Sequence, residues 1–345
     1  MDKVMRFICK SNSTLNLRQI ELMESNSCRI EYTAKLGFYY IVEALSASHI
    51  SDLNIFDSVS VPAKLKLADV SLFPQISNKP LKKEDYVGWK VKVAVIDSGL
   101  KTENGLNIIY SKDYTGNSHT IANNHGTQVA KIIQYFAPRA CFINLKVSHD
   151  FEFSEDYVIP ALDEAMDQEA DIINLSFGIL RKQLCIGNCV ICDYVNKVSE
   201  LGYTVITASG NEGVAGTGSV CCPGRAEKSI TVGQVDKTGK NVSSHSGKGM
   251  PDLLKPNIIA PGEITVVIDK TYTYNSGTSF STPVVAGVLA SMFHLSYDRR
   301  TIISNLFSSA RKLKSVADYH QGSGVLDLKN FLEVCAHDKS LSNKS

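Results

Sequence analysis

Four short segments hold residue types that together can open an acyl bond: Val-Ala-Val-Ile-Asp97-Ser-Gly, Asn-His125-Gly-Thr, Ala-Ser-Gly-Asn211 and Ser-Gly-Thr-Ser279-Phe-Ser-Thr-Pro. A serine hydroxyl has a very high pKa and attacks a carbonyl carbon only when a general base takes its proton. The imidazole that does so needs a carboxylate to fix its tautomer and stabilise the imidazolium. Asp97, His125 and Ser279 can fill these roles. A tetrahedral intermediate also needs a donor aimed at its oxyanion, which the side-chain amide of Asn211 can supply beside the backbone N–H of Ser279. Singly, each would be an ordinary cap or turn residue; the ordered set points to chemistry.

The order Asp, His, Ser is one of three unrelated orders in which this geometry occurs, and it is the order of the subtilisin-like serine proteases. The chain resembles that family at all four segments, over about residues 85 to 330. The resemblance implies hydrolysis of peptide bonds by Asp97, His125 and Ser279, with His125 Nδ1–H bound to Asp97 and Asn211 in the oxyanion hole. It further implies that Asn174, Leu175, Ser176, Phe177 and Gly178 pair with an extended peptide or protein substrate as an added strand. Ala208, Ser209 and Gly210 would form the opposite wall of the pocket for the residue before the scissile bond. Cys221 would lie at its base, where relatives commonly have Gly, and make it shallower. Gln128, Lys131 and Phe280 stand where relatives often have His, Gly and Met; these departures fall outside the triad and touch substrate contacts or packing.

Elements that could position these residues follow from hydrophobic patterning. The apolar runs 91–96, 141–147, 172–176, 204–208 and 230–232 lack the alternation of half-exposed strands and suit a parallel sheet covered on both faces. Amphipathic helices are expected over 125–136, 157–168, 192–201 and 281–295. The fold class is therefore α/β, a doubly wound, mostly parallel sheet with helices on both faces and the chemistry at strand ends and helix starts.

A small α+β N-terminal domain precedes it. Residues 1–68 give strands over 4–9, 29–33, 38–43 and 59–67 and helices over 16–24 and 46–53, a β-α-β-β-α-β order. Residues 69–85 read as a linker, 86–338 as the catalytic domain and 339–345 as a loose tail. The first unit resembles the propeptide of the same family. That implies an inhibitor built into the chain and a self-inflicted cut between about Lys64 and Phe73, with Leu67 or Ala68 before the bond; a plain regulatory or structural domain is the other reading.

Composition narrows the partners. With 36 basic against 35 acidic side chains, nothing favours nucleic acid or an anionic membrane. The longest apolar candidate, 276–295, is broken by Ser, Thr, Pro, Gly and His, so no transmembrane helix is expected. The N-terminal apolar patch stops at Cys9 without a small-residue cleavage site, which makes a cytoplasmic location the expectation. Five of nine cysteines, Cys185, Cys189, Cys192, Cys221 and Cys222, fall near the expected pocket. Four thiolates would satisfy a tetrahedral zinc site, but the gap after Cys185 and the adjacent Cys221-Cys222 give no clean pair of knuckles. Disulfides or free thiols are expected instead, with no metal and no other cofactor. An autoprocessing endopeptidase is the leading expectation. Its rivals are a catalytically silent binding or scaffold protein, disfavoured by the four intact residues, and a serine esterase, disfavoured by the peptide-pairing segment.

Overall fold

The computed structural model of the chain describes residues 4–62, 64–66, 88–102, 105–116, 123–148, 152–181, 185–269, 271–293 and 298–342. The N-terminal part rests on period-two alternation. In β1 (Met5–Lys10), Phe7 and Cys9 enter one core and Ile8 enters another, because successive strand residues face opposite sides. α1 (Leu17–Ser25) starts on a capping box: Gln19 N–H donates to the Asn16 side chain at 3.0 Å and Asn16 N–H to the Gln19 side chain at 2.9 Å, which satisfies two donors the helix leaves open. β2 (Arg29–Thr33), β3 (Tyr39–Ala44), α2 (Ala47–Ser51) and β4 (Ser58–Ser60) follow. The sheet order is β2-β3-β1-β4, all pairs antiparallel. Met23 and Ile50 from the helices close one face over Phe7, Tyr40 and Val42.

The larger part runs through β5 (Lys64–Lys66), β6 (Lys92–Asp97), β7 (Ile108–Asp113), α3 (His125–Phe136), β8 (Cys141–Lys146), β9 (Glu152–Ser154), α4 (Glu155–Asp167), β10 (Ile172–Leu175), α5 (Val190–Glu200), β11 (Thr204–Ala208), β12 (Ile230–Val235) and β13 (Ile258–Pro261). A hairpin, β14 (Ile264–Ile268) and β15 (Thr271–Asn275), leads into α6 (Thr278–Phe293), and α7 (Arg299–Ser308), α8 (Asp318–Gln321) and α9 (Leu328–Ser342) close the chain. Seven strands form one parallel sheet in the order β13-β12-β11-β10-β6-β8-β7. This is the expected doubly wound α/β sheet with helices on both faces. In β6, Val93 and Val95 enter the core shared with α3 and α6, while Ala94 and Ile96 enter the core shared with α4 and α5. A strand buried on both sides has no polar face to show, hence its unbroken apolar run.

Several elements were not foreseen. β7 alternates half-buried with exposed residues and then turns fully exposed, so it carries no apolar run. α6 begins at Thr278 rather than at the expected 281; its first two residues, Thr and Ser, are weak helix formers and extend no apolar period, so the sequence pattern hides them. Ser279 therefore lies inside the first turn, and Pro283 is the sixth helical residue. It cannot donate to the Ser279 carbonyl four residues back, a larger interruption than a proline in the first turn would make. α9 carries the backbone to Ser342, into the stretch expected to be loose. The expected linker, 69–85, lies outside the described residues. Among the described residues no helix is long and apolar enough to cross a membrane.

The small sheet is seated on α4 and α5 through a buried polar cluster. Asp163, 1% exposed, accepts from the Tyr32 hydroxyl at 2.6 Å and from Lys35 N–H at 3.0 Å, and the Tyr194 hydroxyl donates to its other oxygen. Tyr194 in turn accepts from Leu36 N–H at 3.2 Å. Burial raises the Asp163 pKa against the pull of these donors. Arg6 reaches Asp156 at 2.6 Å and stacks on Tyr157 at 4.9 Å. Replacing Asp163 by Ala strands two hydroxyls and a backbone N–H, each costing about 1–3 kcal/mol when buried and unpaired. Urea unfolding of Asp163→Ala is expected to show a loss on the order of 3 kcal/mol and Tyr32→Phe about 1 kcal/mol; unchanged midpoints would show that the cluster does not hold the sheet.

Candidate functional site

Asp97 is the last residue of β6 and is fully buried. Its Oδ1 accepts from Ser98 N–H at 2.7 Å and lies 2.8 Å from His125 Nδ1. His125 is the first residue of α3, and its N–H donates to Asn123 at 3.0 Å. The approach of α3 to β6 depends on Gly126: a Cβ there would lie 2.6 Å from the Gly99 carbonyl oxygen and 3.1 Å from Asp97 Cβ. Ser98 Oγ accepts from Gly126 N–H at 3.1 Å and so ties strand end to helix start. With Nδ1 engaged by Asp97, the tautomer that carries the proton there leaves Nε2 with a free lone pair. Nε2 is buried and has no hydrogen-bond partner among the described residues.

Ser279, 2% exposed, is the second residue of α6, where backbone N–H groups have no intrahelical acceptor. The next residue, Phe280, sets its ring against His125 with centroids 5.2 Å apart and an interplanar angle of 63°. A residue expected to pack behind the serine is thus in edge contact with the imidazole. Asn211 is held from the same turn: its Oδ1 accepts from Thr278 N–H and Thr278 Oγ1, both at 2.9 Å, and Thr278 Oγ1 accepts from Gly210 N–H at 3.1 Å. This fixes the amide with Nδ2 turned away from Thr278. Nδ2 is also buried without a partner. Gly277, at φ +139°, clears the space: a Cβ there would sit 3.0 Å from Asn211 Nδ2. Thr278, Ser98 and Asn123 were not singled out from sequence; the clue available was their direct adjacency to the serine, the aspartate and the histidine segment.

The two expected pocket walls are the ends of neighbouring parallel strands, β10 and β11. Asn174, Leu175, Ser176 and Phe177 are buried, with Asn174 Nδ2 donating to Ser176 Oγ at 2.8 Å. Ser209 receives Cys221 N–H at 2.8 Å, and Ala208 and Gly210 are buried beside it. Cys221 stands between the walls: a Cβ on Gly178 would lie 2.8 Å from Cys221 Cβ, and one on Gly210 2.2 Å from Cys221 Sγ. Phe177 stacks on Phe153 of β9 at 4.4 Å and 18°, and β9 pairs antiparallel with β5, Leu65 opposite Phe153. Leu67 and Ala68 lie outside the described residues.

Four of the five pocket-side cysteines come together. The sulfurs of Cys185, Cys189, Cys192 and Cys222 all lie within 4.8 Å of one another, a set able to hold a metal ion. Cys221 stays apart, and burial pushes its thiol up to about 12.

Comparison with known proteins bears on the whole arrangement. Residues 88–324 match the model of the Subtilase family. Subtilisin from Bacillus pumilus is 28% identical over 272 residues, covering 74% of this chain and 95% of its own. Subtilisin Savinase from Lederbergia lenta is 31% identical over 260 residues, covering 70% and 90%. Among solved structures, the epidermin leader peptide processing serine protease from Staphylococcus aureus superposes with a TM-score of 0.75 at 20% identity, covering 96% of this chain and 99% of its own. That likeness is one of fold, and it takes in the N-terminal sheet as well as the parallel one.

Proposed function

Because the chain belongs to the subtilase family, we propose that it is a serine endopeptidase in which Ser279 is the nucleophile, His125 the general base, Asp97 its orienting carboxylate and Asn211 an oxyanion donor. Ser279 Oγ attacks the peptide carbonyl while His125 Nε2 takes its proton, and Asp97 stabilises the imidazolium. Asn211 Nδ2 and the Ser279 N–H meet the negative charge on the carbonyl oxygen at the positive end of α6. His125 then protonates the leaving amine, and water, activated by the same imidazole, releases the acyl group.

The observation that carries this reading is the pair of buried, unpartnered atoms, His125 Nε2 and Asn211 Nδ2, flanking the turn that bears Ser279. A buried polar atom without a partner costs free energy, and these two are the acceptor and the donor that the reaction uses. A silent scaffold has no use for both. Main-chain recognition by the wall at 174–178, whose own side chains point inward through Phe177, favours a peptide over a simple ester.

Turnover of fluorogenic peptides is the first test. Ser279→Ala is expected to abolish it with the fold intact, and Asn211→Ala to lower kcat about 10²–10³-fold, the usual cost of one such donor. Unchanged turnover in Ser279→Ala would end the assignment. Cys221, wedged between Gly178 and Gly210, limits the pocket; Cys221→Gly is expected to shift preference in a peptide library toward larger side chains before the scissile bond, and an unshifted profile would place that pocket elsewhere.

The N-terminal unit we propose to be an inhibitor released by the enzyme's own site, cutting after Leu67 or Ala68. Support comes from the strand β5, which lies against β9 while Phe153 of β9 stacks on Phe177 of the wall that would receive substrate. A tethered segment reaches a nucleophile at high effective concentration. Mass spectrometry of freshly folded protein is expected to give a fragment near residues 1–68 and its complement, and Ser279→Ala one intact chain. A wild-type chain that stays whole while hydrolysing peptides at full rate would make the unit a permanent domain.

A further inference from the structure

The cysteine cluster lies outside the reacting residues, and its geometry asks for an ion. Four sulfurs on one tetrahedral centre at about 2.3 Å are about 3.8 Å apart; those of Cys185, Cys189, Cys192 and Cys222 are all within 4.8 Å of one another. Side-chain adjustment closes the remainder. Two disulfides would require closeness only within each pair, whereas mutual closeness of all four is the mark of a common centre. We propose that Cys185, Cys189, Cys192 and Cys222 hold one zinc ion in a closed four-thiolate site that clamps the segment behind the peptide-binding wall to the base of the pocket.

The surroundings are built for thiolates. Gly187 N–H and Cys189 N–H both point at Cys185 Sγ, at 3.3 and 3.4 Å, the kind of outer donors that orient and stabilise anionic ligands. The turn that brings them there needs glycine: Gly187 has φ +94°, and a Cβ on it would lie 2.8 Å from the Arg225 carbonyl oxygen. Cys189 caps α5 and Cys192 is its third residue, so two ligands sit at the positive end of a helix. Arg181, ion-paired with Glu155, feels the charge of Cys189 and Cys222 and can offset the excess negative charge of a zinc tetrathiolate. Three of the four thiols are buried. Soft sulfur ligands with no open position select zinc over calcium or magnesium.

The clamp follows from connectivity. Cys222 exchanges two backbone hydrogen bonds of 2.9 Å with Ile179, directly after the wall at 174–178, and Arg225 reaches the Cys185 carbonyl at 2.6 Å as well as that of Val220. One ion thus joins residues 185–192 to Cys222, which is itself paired with Ile179. Cys221, next to the ligand Cys222, is the residue wedged in the pocket. Only this consequence rests on the proposed peptide cleft; the metal assignment does not.

Metal analysis on the full Ser279→Ala chain, purified reduced and without chelator, keeps the test independent of protease activity. One zinc per chain is expected, with Cys222→Ser falling below about a tenth of that and Cys221→Ser keeping one. Cobalt(II) added to the metal-free chain is expected to give the intense thiolate-to-metal charge-transfer bands of a tetrahedral four-sulfur site, which tests the site even if Cys222→Ser fails to fold. Because the ligands must lose their protons, retention should weaken as pH falls. A reduced chain refolded with zinc that binds none, four thiols recovered as two disulfides, or equal metal loss in Cys221→Ser would each overturn the site. Zinc removal that leaves the melting temperature unchanged would overturn the clamp.

Discussion

The contact between Asp97 Oδ1 and His125 Nδ1, 2.8 Å long in a fully buried setting, is the constraint around which the larger part of the chain is arranged. A buried carboxylate must be matched by donors, and Asp97 receives both of its own at one oxygen, from Ser98 N–H and from the imidazole. For these to meet, α3 must start against the end of β6, which the missing side chain of Gly126 allows. For the imidazole to face Ser279, the nucleophile of the proposed reaction, α6 must also begin here. It does so because the helix is buried from Thr278 to Met292 and packs against α3 and the sheet, so the position of Ser279 is fixed by a core rather than by a loop.

Bare polar atoms gather at this point: Asp97 Oδ2, Asn123 Nδ2, His125 Nε2 and Asn211 Nδ2 are all buried without a partner. Other buried polar side chains are drawn together: Asp163 with two tyrosines, Lys255 with the Ser229 carbonyl at 2.7 Å and Asn257 at 2.9 Å. At the start of α6, Asn211 uses its oxygen on Thr278 and keeps its nitrogen free. An amide so oriented is preorganised, and in a site of low polarity a fixed donor gains more from developing charge than a mobile one in water.

How much of this was legible in the sequence depends on whether the signal was local. Five of the seven strands of the parallel sheet were legible because burial on both faces writes itself as unbroken apolar runs, as in Val-Ala-Val-Ile before Asp97, whereas β13, only four residues ending in Pro261, was not. The four residues of the proposed site stand out in the sequence because each sits in a motif with a turn or helix start beside it. β7 was not legible, since an edge strand with exposed alternate positions looks polar, and the true start of α6 was not, since Thr278 and Ser279 are weak helix formers that extend no apolar period. The partner of Asn211, Thr278, lies 67 residues away in sequence, a distance over which no local pattern reports.

The cysteines mark the limit most clearly. Sequence spacing suggested five sulfurs in one neighbourhood, and knuckle spacing argued against a metal because Cys221-Cys222 looked like a mismatched pair. The fold separates them: adjacent residues in an extended segment point to opposite sides, so Cys222 turns toward Cys185, Cys189 and Cys192 while Cys221 turns between Gly178 and Gly210. The pairing of Ile179 with Cys222 sets this alternation, and it comes from the register of two segments more than forty positions apart. One backbone bridge therefore decides two matters at once, which sulfur joins the cluster and which closes the pocket, and a shift of a single residue in that register would exchange them.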